Sequence, residues 1–564
     1  MSTRKNPFYV RYRKDILHLL VIVFLSSVFL FCALGDYSLK EPDEGRYAEI
    51  PREMVETGDY IVPHLNYVRY FEKPPLLYWA VAISYKLFGI NEWSFRSVNA
   101  AFAFFMVLFL YVFGRKWFGG RAALLSCLIL VSSFGFFSMA RIVTTDMCFS
   151  FLLFASLLCF YDFYRDKKAF SLYLFYGLAG LATLAKGPAA VVLLGGAILV
   201  FLFTEKRLSF LKELKWLRGS AIYACIVLPW IIAISLRDRE FLHFFFIDQH
   251  ILRFATTQHK RSGPLYYFLP VLFGGMFPWS FFLPRGIVTL WRKKELRLFI
   301  IWSALVFGLF SISGSKLPPY ILPIFPALSL VLGVFFDENR HRYARWAGEI
   351  ALYMVVFAVF SLLGFLRLYP PFLAWVASLA PNAPALAQEL KCFCLGVSFV
   401  SCVVLCMSFF RTFRRYGAIF LILLSFSFSF FSVLMGFGLH TLDKLKTAKE
   451  LALAVNQSKG TFDHLVGYDV YEQTLPFYTK SRLILANFTG ELKMGSMRDG
   501  AKEYFITEEE FFRLLSSDKK VLFVTKENKI DRLREMVPRK IEAIRCQNDR
   551  CLYGNWATAE NDFQ

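Results

Sequence analysis

Asp43, Glu44, Arg46, Glu72 and Lys73 crowd into one short region of a 564-residue chain, in Glu41-Pro-Asp-Glu-Gly-Arg-Tyr-Ala-Glu49 and Tyr70-Phe-Glu-Lys-Pro-Pro75. Carboxylates set beside cations can orient a nucleophile or stabilise developing positive charge, while Lys and Arg hold phosphate. Pro42 can start a helix, with Asp43 and Glu44 in its first turn, where negative charge suits the helix dipole; Asp43 and Arg46 then share one face. A lone Asp at that position would read as a helix cap. The concentration of charge around it argues for more. Two prolines after Lys73 hold its backbone extended.

Further along, Asp146 follows Arg141, its nearest candidate partner in sequence, close to the end of an apolar run. Charge at such depth is rare unless paired, wet or functional. Lys186, in Leu-Ala-Lys-Gly-Pro188, faces a cavity or an anionic headgroup, or else snorkels to the interface. His243, Asp248, His250, Arg253, His259, Lys260 and Arg261 share one loop. Arg253 and Lys260 read as phosphate contacts. His250 and His259 are candidate metal ligands, although no tight His pair of the kind zinc motifs use occurs there. Lys316 and Tyr320, in Ser-Lys-Leu-Pro-Pro-Tyr320, repeat a cation and an aromatic at a helix end, a pattern that interfacial anchoring alone would also give. Together these loops compose a pocket at membrane level, with carboxylates on one hand and Lys and Arg on the other, as a reaction between two lipid-borne phosphates requires.

What positions these groups must be a membrane. The chain is 56% apolar and 18% aromatic, too greasy for a soluble protein of this size. Thirteen apolar runs have the length to span a bilayer core: 16–34, 97–114, 122–138, 145–163, 171–185, 187–204, 219–236, 266–290, 298–312, 319–336, 347–367, 392–410 and 416–438. The first is expected to stay as a signal-anchor helix. The formal charge of +21 could suggest nucleic acid, but Lys and Arg gather at alternate loops: Arg4 to Lys14, Arg115 to Arg121, Arg165 to Lys168, Lys206 to Arg218, Arg292 to Arg297, Arg340 to Arg345 and Arg411 to Arg415. Thirteen spans put all seven clusters on one side, which the positive-inside rule makes cytoplasmic. The charge is therefore a topogenic signal, with contacts to membrane lipids and no nucleic-acid partner.

The expected organisation is a transmembrane part, 1–439, with outer loops 35–96 and 237–265, and a tail domain, 440–564; both loops and the tail fall on the same, non-cytoplasmic side. Leu76 to Phe88 is apolar but too short to cross, and is expected to lie as an interfacial helix. In the tail, Leu442 to Val455 and Glu508 to Leu515 read as helices, and His464 to Val470, Leu483 to Ala486 and Val521 to Thr525 as strands, which predicts a small α/β domain. Nothing in the tail looks catalytic alone. Cys546 and Cys551 could close as a disulfide across a turn or stand as two free thiols.

The charged motifs, with Ala-Lys-Gly-Pro and Lys-Leu-Pro-Pro-Tyr-Ile-Leu-Pro, resemble the lipid A aminoarabinose transferase family, GT-C glycosyltransferases related to protein O-mannosyltransferases. The resemblance covers essentially the whole membrane part and, in Tyr471-Glu-Gln-Thr-Leu-Pro-Phe-Tyr478, the tail. It implies transfer of 4-amino-4-deoxy-L-arabinose from undecaprenyl phosphate to lipid A phosphates, which confers resistance to polymyxin. It makes Asp43 the central catalytic carboxylate with Asp146 in the same pocket, sets Lys73, Arg253 and Tyr320 around the carrier phosphate, and makes Glu72 a ligand for a divalent ion such as zinc. Two other readings compete: a transferase of the same fold with another sugar (hexose or hexosamine) or another acceptor (glycan or protein), and a flippase or transporter. Against the latter, the charges concentrate at one membrane face and no repeated halves are visible.

Overall fold

The computed structural model describes residues 7–245, 263–339, 427 and 447–556, with 499 and 538 excepted. In the membrane part it forms α1 (Pro7–Phe31), α2 (Asp43–Thr57), the short strands β1 (His64–Leu65) and β2 (Val68–Arg69), α3 (Leu76–Phe88), α4 (Glu92–Phe118), α5 (Gly120–Val131), α6 (Phe134–Arg141), α7 (Thr145–Asp166), α8 (Ala169–Lys186), α9 (Ala189–Thr204) and α10 (Trp216–Arg237). Helices Phe268–Gly275, Leu283–Leu290, Lys294–Ile312 and Phe325–Glu338 follow. The protein is a polytopic helical membrane protein: among the described residues seven helices are long and apolar enough to cross a bilayer, or nine if each bent pair is one span. The expected runs at 347–367, 392–410 and, apart from residue 427, 416–438 lie outside the described residues.

Two expected spans are not straight. The run 122–138 breaks between α5 and α6 with a bend of 63°, where the hydroxyls of Ser132 and Ser133 turn back on the carbonyls of Leu128 and Ile129 at 2.5 and 2.7 Å. Such side chains compete with the helical ladder and kink it. The run 266–290 turns a corner of 113° between Leu265–Gly275 and Trp279–Leu290, at Pro278, which has no N–H to continue the first helix. Apolar periodicity carries no information about such corners.

Ion pairs gather the basic helix ends on one face. Arg115 meets Asp15 at 2.7 Å, Lys116 meets Asp166 at 2.7 Å, Arg121 meets Asp337 at 3.4 Å and Arg165 meets Glu295 at 3.7 Å, while Lys167 pairs with Glu213 and Arg297 with Glu205. The charged first loop sits at the other end of the bundle. In it α2 begins at Asp43, just after Pro42, as the dipole argument expects, and α3 has the anticipated bounds. Tyr78 and Tyr85 of α3 are buried, while Ile83, Leu87 and Phe88 are exposed.

The tail is a mixed α/β domain. Its six strands are β3 (His464–Tyr468), β4 (Ile484–Ala486), β5 (Phe505–Ile506), β6 (Val521–Lys526), β7 (Glu542–Gln547) and β8 (Arg550–Gly554), in the order β5-β4-β3-β6-β8-β7. The first four pair in parallel, and β7 and β8 form an antiparallel hairpin on β6. Cys546 and Cys551 stand opposite each other in that hairpin and are joined as a disulfide, their Cα atoms 4.0 Å apart. The expected first helix appears as Lys449–Gln457; 442–446 lie outside the described residues.

Alternation along the strands sends side chains to two cores. Val466, Tyr468, Phe523 and Tyr553 pack under the helices Glu508–Ser516 and Ile530–Met536. Leu465, Leu485, Leu522 and Leu552 share a core with Tyr47, Ile50, Tyr70 and Tyr78 of the first loop. The tail and the first loop are thus folded against one another. Gly45 shows how closely: a Cβ there would lie 2.6 Å from the backbone nitrogen of Thr474. Gly45→Ala is expected to force this contact apart at a cost of about 1–3 kcal/mol, measured as a fall in Tm of the purified protein.

Glu41 closes the same contact, accepting hydrogen bonds from the backbone N–H groups of Gln473 and Thr474 at 2.9 and 2.6 Å. Burial, with the neighbouring Glu472, pushes its carboxyl up to about 8 despite those donors. A carboxyl raised above its ordinary value keeps its proton in the folded state. Its contribution is complete below the unfolded value and is lost as pH rises through the folded one. Stability is therefore expected to fall between about pH 5 and about pH 8, and Glu41→Gln to flatten that slope in a Tm-against-pH series.

Candidate active site

A cavity of about 520 Å³ lies where the first loop, the end of α6, the start of α7, the end of α8, the Pro318–Ile324 segment and the tail converge. Asp43, Arg46, Glu72, Lys73, Asp146, Lys186 and Tyr320 all line it. The structure thus assembles seven candidates drawn from four separate stretches of sequence. Arg253, His250 and His259 fall outside the described residues.

One wall is organised around Arg46. Its guanidinium pairs with Asp43 one helical turn earlier and with Glu491 from the tail, and donates to the Tyr70 hydroxyl at 3.0 Å. The Arg46 side chain is 10% exposed and that of Asp43 55%, so the carboxylate is fixed from behind and open in front. Burial pushes the Glu491 carboxyl up, Arg46 pulls it down, and Glu72 pushes it up again. Gln473 donates to Glu491 from the neighbouring tail segment.

The opposite wall corrects an expectation. Asp146 does not pair with Arg141 but with Lys186, forty residues on. Arg141 turns away, donating to the carbonyls of Phe29 and Ala33 at 3.2 and 3.1 Å at the end of α1. The cause is helical geometry: Asp146 opens α7 while Arg141 closes α6, and an extended turn through Ile142 and Thr144 separates them. The Lys186 ammonium lies 4.8 Å from the centre of the Tyr320 ring, a cation–π distance.

Behind both walls a buried pair sets the loop. Glu44 receives Arg96 of α4 through two bonds of 3.0 and 2.7 Å, and the same guanidinium donates to the carbonyls of Leu34, Tyr37 and Ser38 at 2.6–2.9 Å. Sequence reading placed Glu44 in the charged loop and gave it no such role. It also missed Glu491, Gly490 and Tyr47, which line the cavity. A single Glu in a polar tail segment carries no signal until the tail is docked.

Among the described residues no group of three or more His, Cys, Asp or Glu side chains is arranged to hold a metal ion. Glu72 is in the cavity wall, but the carboxylates around it are engaged by Arg46 and Lys186. The described residues by themselves do not fit a zinc site.

Residues 72–232 match the dolichyl-phosphate-mannose-protein mannosyltransferase family, and residues 451–545 match the aminoarabinose transferase C-terminal domain. Fold and site thus define a membrane glycosyltransferase that draws on a polyprenyl-phosphate-linked sugar. The chain is 31% identical over 388 residues to the undecaprenyl phosphate-alpha-4-amino-4-deoxy-L-arabinose arabinosyl transferase of Yersinia enterocolitica, covering 66% of this chain and 68% of that one. It is 32% identical over 397 residues to the Aeromonas hydrophila enzyme of the same name, covering 62% and 72%. The crystal structure of ArnT from Cupriavidus metallidurans bound to undecaprenyl phosphate superposes with a TM-score of 0.83 at 26% identity, over 96% of this chain and 98% of that one. The chain belongs to the undecaprenyl phosphate-aminoarabinose arabinosyl transferase family.

Proposed function

We propose that this protein transfers 4-amino-4-deoxy-L-arabinose from undecaprenyl phosphate to phosphate groups of lipid A, at the periplasmic face of a bacterial inner membrane. The observation that carries the reading is the charge of the cavity. Its described lining holds four carboxylates, Asp43, Glu72, Asp146 and Glu491, against three cations, Arg46, Lys73 and Lys186. A cavity for a phosphate carrier needs cations; carboxylates set beside them suit a substrate that also brings a protonated amine, as this sugar does.

In this reading Lys73, with Arg253, holds the carrier phosphate and stabilises it as it leaves. Tyr320 borders the same region, and Lys186 reaches it from its pairing with Asp146. The acceptor phosphate oxygen attacks the anomeric carbon, the bond from that carbon to the carrier phosphate breaks, and the electron pair departs on the carrier. A phosphate monoester already carries about 1.5 to 2 negative charges at neutral pH and needs no strong base. Asp43, fixed by Arg46, is left to orient the reactants and to stabilise positive charge developing on the sugar. Zinc on Glu72 would require His250 and His259 to complete its ligands, and no step above passes through it. Full activity in metal-free protein would overturn that ligand set.

The remaining topology belongs to the same proposal: thirteen crossings, a cytoplasmic N-terminus, and a division near 439/440 between membrane part and tail. Support comes from the ion-paired basic helix ends on one face and from the Cys546–Cys551 disulfide in the tail, since disulfides persist in oxidising compartments. The test is mass spectrometry of lipid A from cells lacking this activity, complemented with the chain. Addition of an aminopentose to a lipid A phosphate is expected. A hexose or hexosamine addition would replace the sugar, and unchanged lipid A in membranes containing protein and donor would remove the acceptor.

A further inference from the structure

At the end of the bundle that carries the ion-paired basic residues lies a second cavity, of about 380 Å³, with almost wholly apolar walls. Its floor is Tyr176 and Ala179 of α8, and its sides are Gly195 and Ile198 of α9 and Trp216 and Tyr223 of α10. The groove exists because its two side helices are drawn apart. The ring of Tyr176 sits against Gly219, where a Cβ would lie 2.1 Å from it, so α10 closes onto α8. By contrast α9 leans toward Lys294–Ile312, where a Cβ on Gly196 would meet Leu305 at 3.3 Å. The next residue toward the groove, Gly195, has nothing within 4 Å of its Cβ position.

The mouth of the groove is basic. Leu211 and Leu214, from the short segment Leu208–Leu214, close its end, and Lys212, Lys215 and Arg218 are exposed among these lining residues and Trp216. The acid in that stretch, Glu213, is neutralised by Lys167. Trp216 is 54% exposed and donates its indole N–H to the Leu211 carbonyl at 2.7 Å, the posture of an aromatic at a membrane interface.

We propose that this groove binds one acyl chain of an anionic phospholipid from the surrounding bilayer, with its phosphate held by Lys212, Lys215 and Arg218. The volume falls in the range of small-molecule sites, about 300–1,000 Å³. Lipid tails are as apolar as the groove, so the tail alone brings little preference. The cations supply the selectivity, because a basic cluster at the interface attracts anionic lipid. The signature is therefore a preference for the lipid's charge that depends on the groove being open.

The experiment is native mass spectrometry of the full chain in detergent, with phosphatidylglycerol competing against phosphatidylcholine of identical acyl chains. The wild type is expected to retain the anionic lipid about fivefold over the neutral one. Lys212→Gln/Lys215→Gln/Arg218→Gln should bring the ratio near one, and Gly195→Leu should remove the bound lipid. Ser220→Leu, which narrows the groove from α10, repeats that arm should Gly195→Leu not fold. No bound lipid in the wild type, equal retention of both lipids, or a preference that survives the triple substitution would overturn the proposal. So would displacement of phosphatidylglycerol by undecaprenyl phosphate, which would assign the groove to the carrier.

Discussion

Asp43→Asn is expected to lower sugar transfer by at least about 100-fold, measured with purified protein, donor lipid and acceptor in proteoliposomes. The side chain keeps its size, and Arg46 stays anchored by Glu491 and Tyr70, so the wall behind it persists. What disappears is the negative charge facing the cavity. Because that charge is proposed to act on the transition state, the loss should appear in kcat while the KM for the donor lipid shifts far less. Stability should change by no more than about 0.5 kcal/mol, since the Asp43 side chain is 55% exposed. A variant that retains most of its kcat would remove Asp43 from the reaction centre. The same assay on Lys73→Gln should give the complementary result, a raised donor KM, since that side chain is proposed to hold the carrier phosphate.

Arg96→Met should have the largest effect on folding. The Arg96 side chain is fully buried, its partner Glu44 is 2% exposed, and it also satisfies three backbone carbonyls. Methionine leaves the carboxylate without its cation and the carbonyls without donors. Breaking a buried pair from one side costs about 3–5 kcal/mol. The expected outcome is a large fall in Tm or loss of the protein from membranes, with activity lost in parallel. Glu44→Gln with Arg96→Met should cost less than the sum of the single substitutions, because no unpaired charge is left behind. Additive costs would show that the two side chains do not depend on each other.

Much of this molecule follows from local sequence. Runs of apolar residues must become helices where no water can satisfy the backbone, so ten of the thirteen expected segments fall on described helices. Pro42 followed by Asp43 and Glu44 sets the start of α2, and the i to i+3 spacing of Asp43 and Arg46 puts them in contact. Strand alternation in the tail similarly marks β3, β4 and β6. The hairpin of β7 and β8 was less legible, since Glu542–Gln547 is largely polar and half exposed.

The rest depended on contacts between distant stretches. Arg141 stood five residues from Asp146 and looked like its partner, yet Lys186 holds that place because α7 and α8 lie side by side. Glu491 joins the cavity only because the tail packs on the first loop through Gly45 and Thr474. The Cys546 and Cys551 thiols meet because β7 and β8 pair in that register.

The amino-acid sequence by itself determined the membrane as solvent, the helices, the basic face and the residue types of the site, since each rests on composition or on spacing within one element. Which carboxylate meets which cation across separate elements was decided by the tertiary structure alone. Charge pairing falls off over a few ångströms, and distances that short between separate elements exist only once the chain has folded.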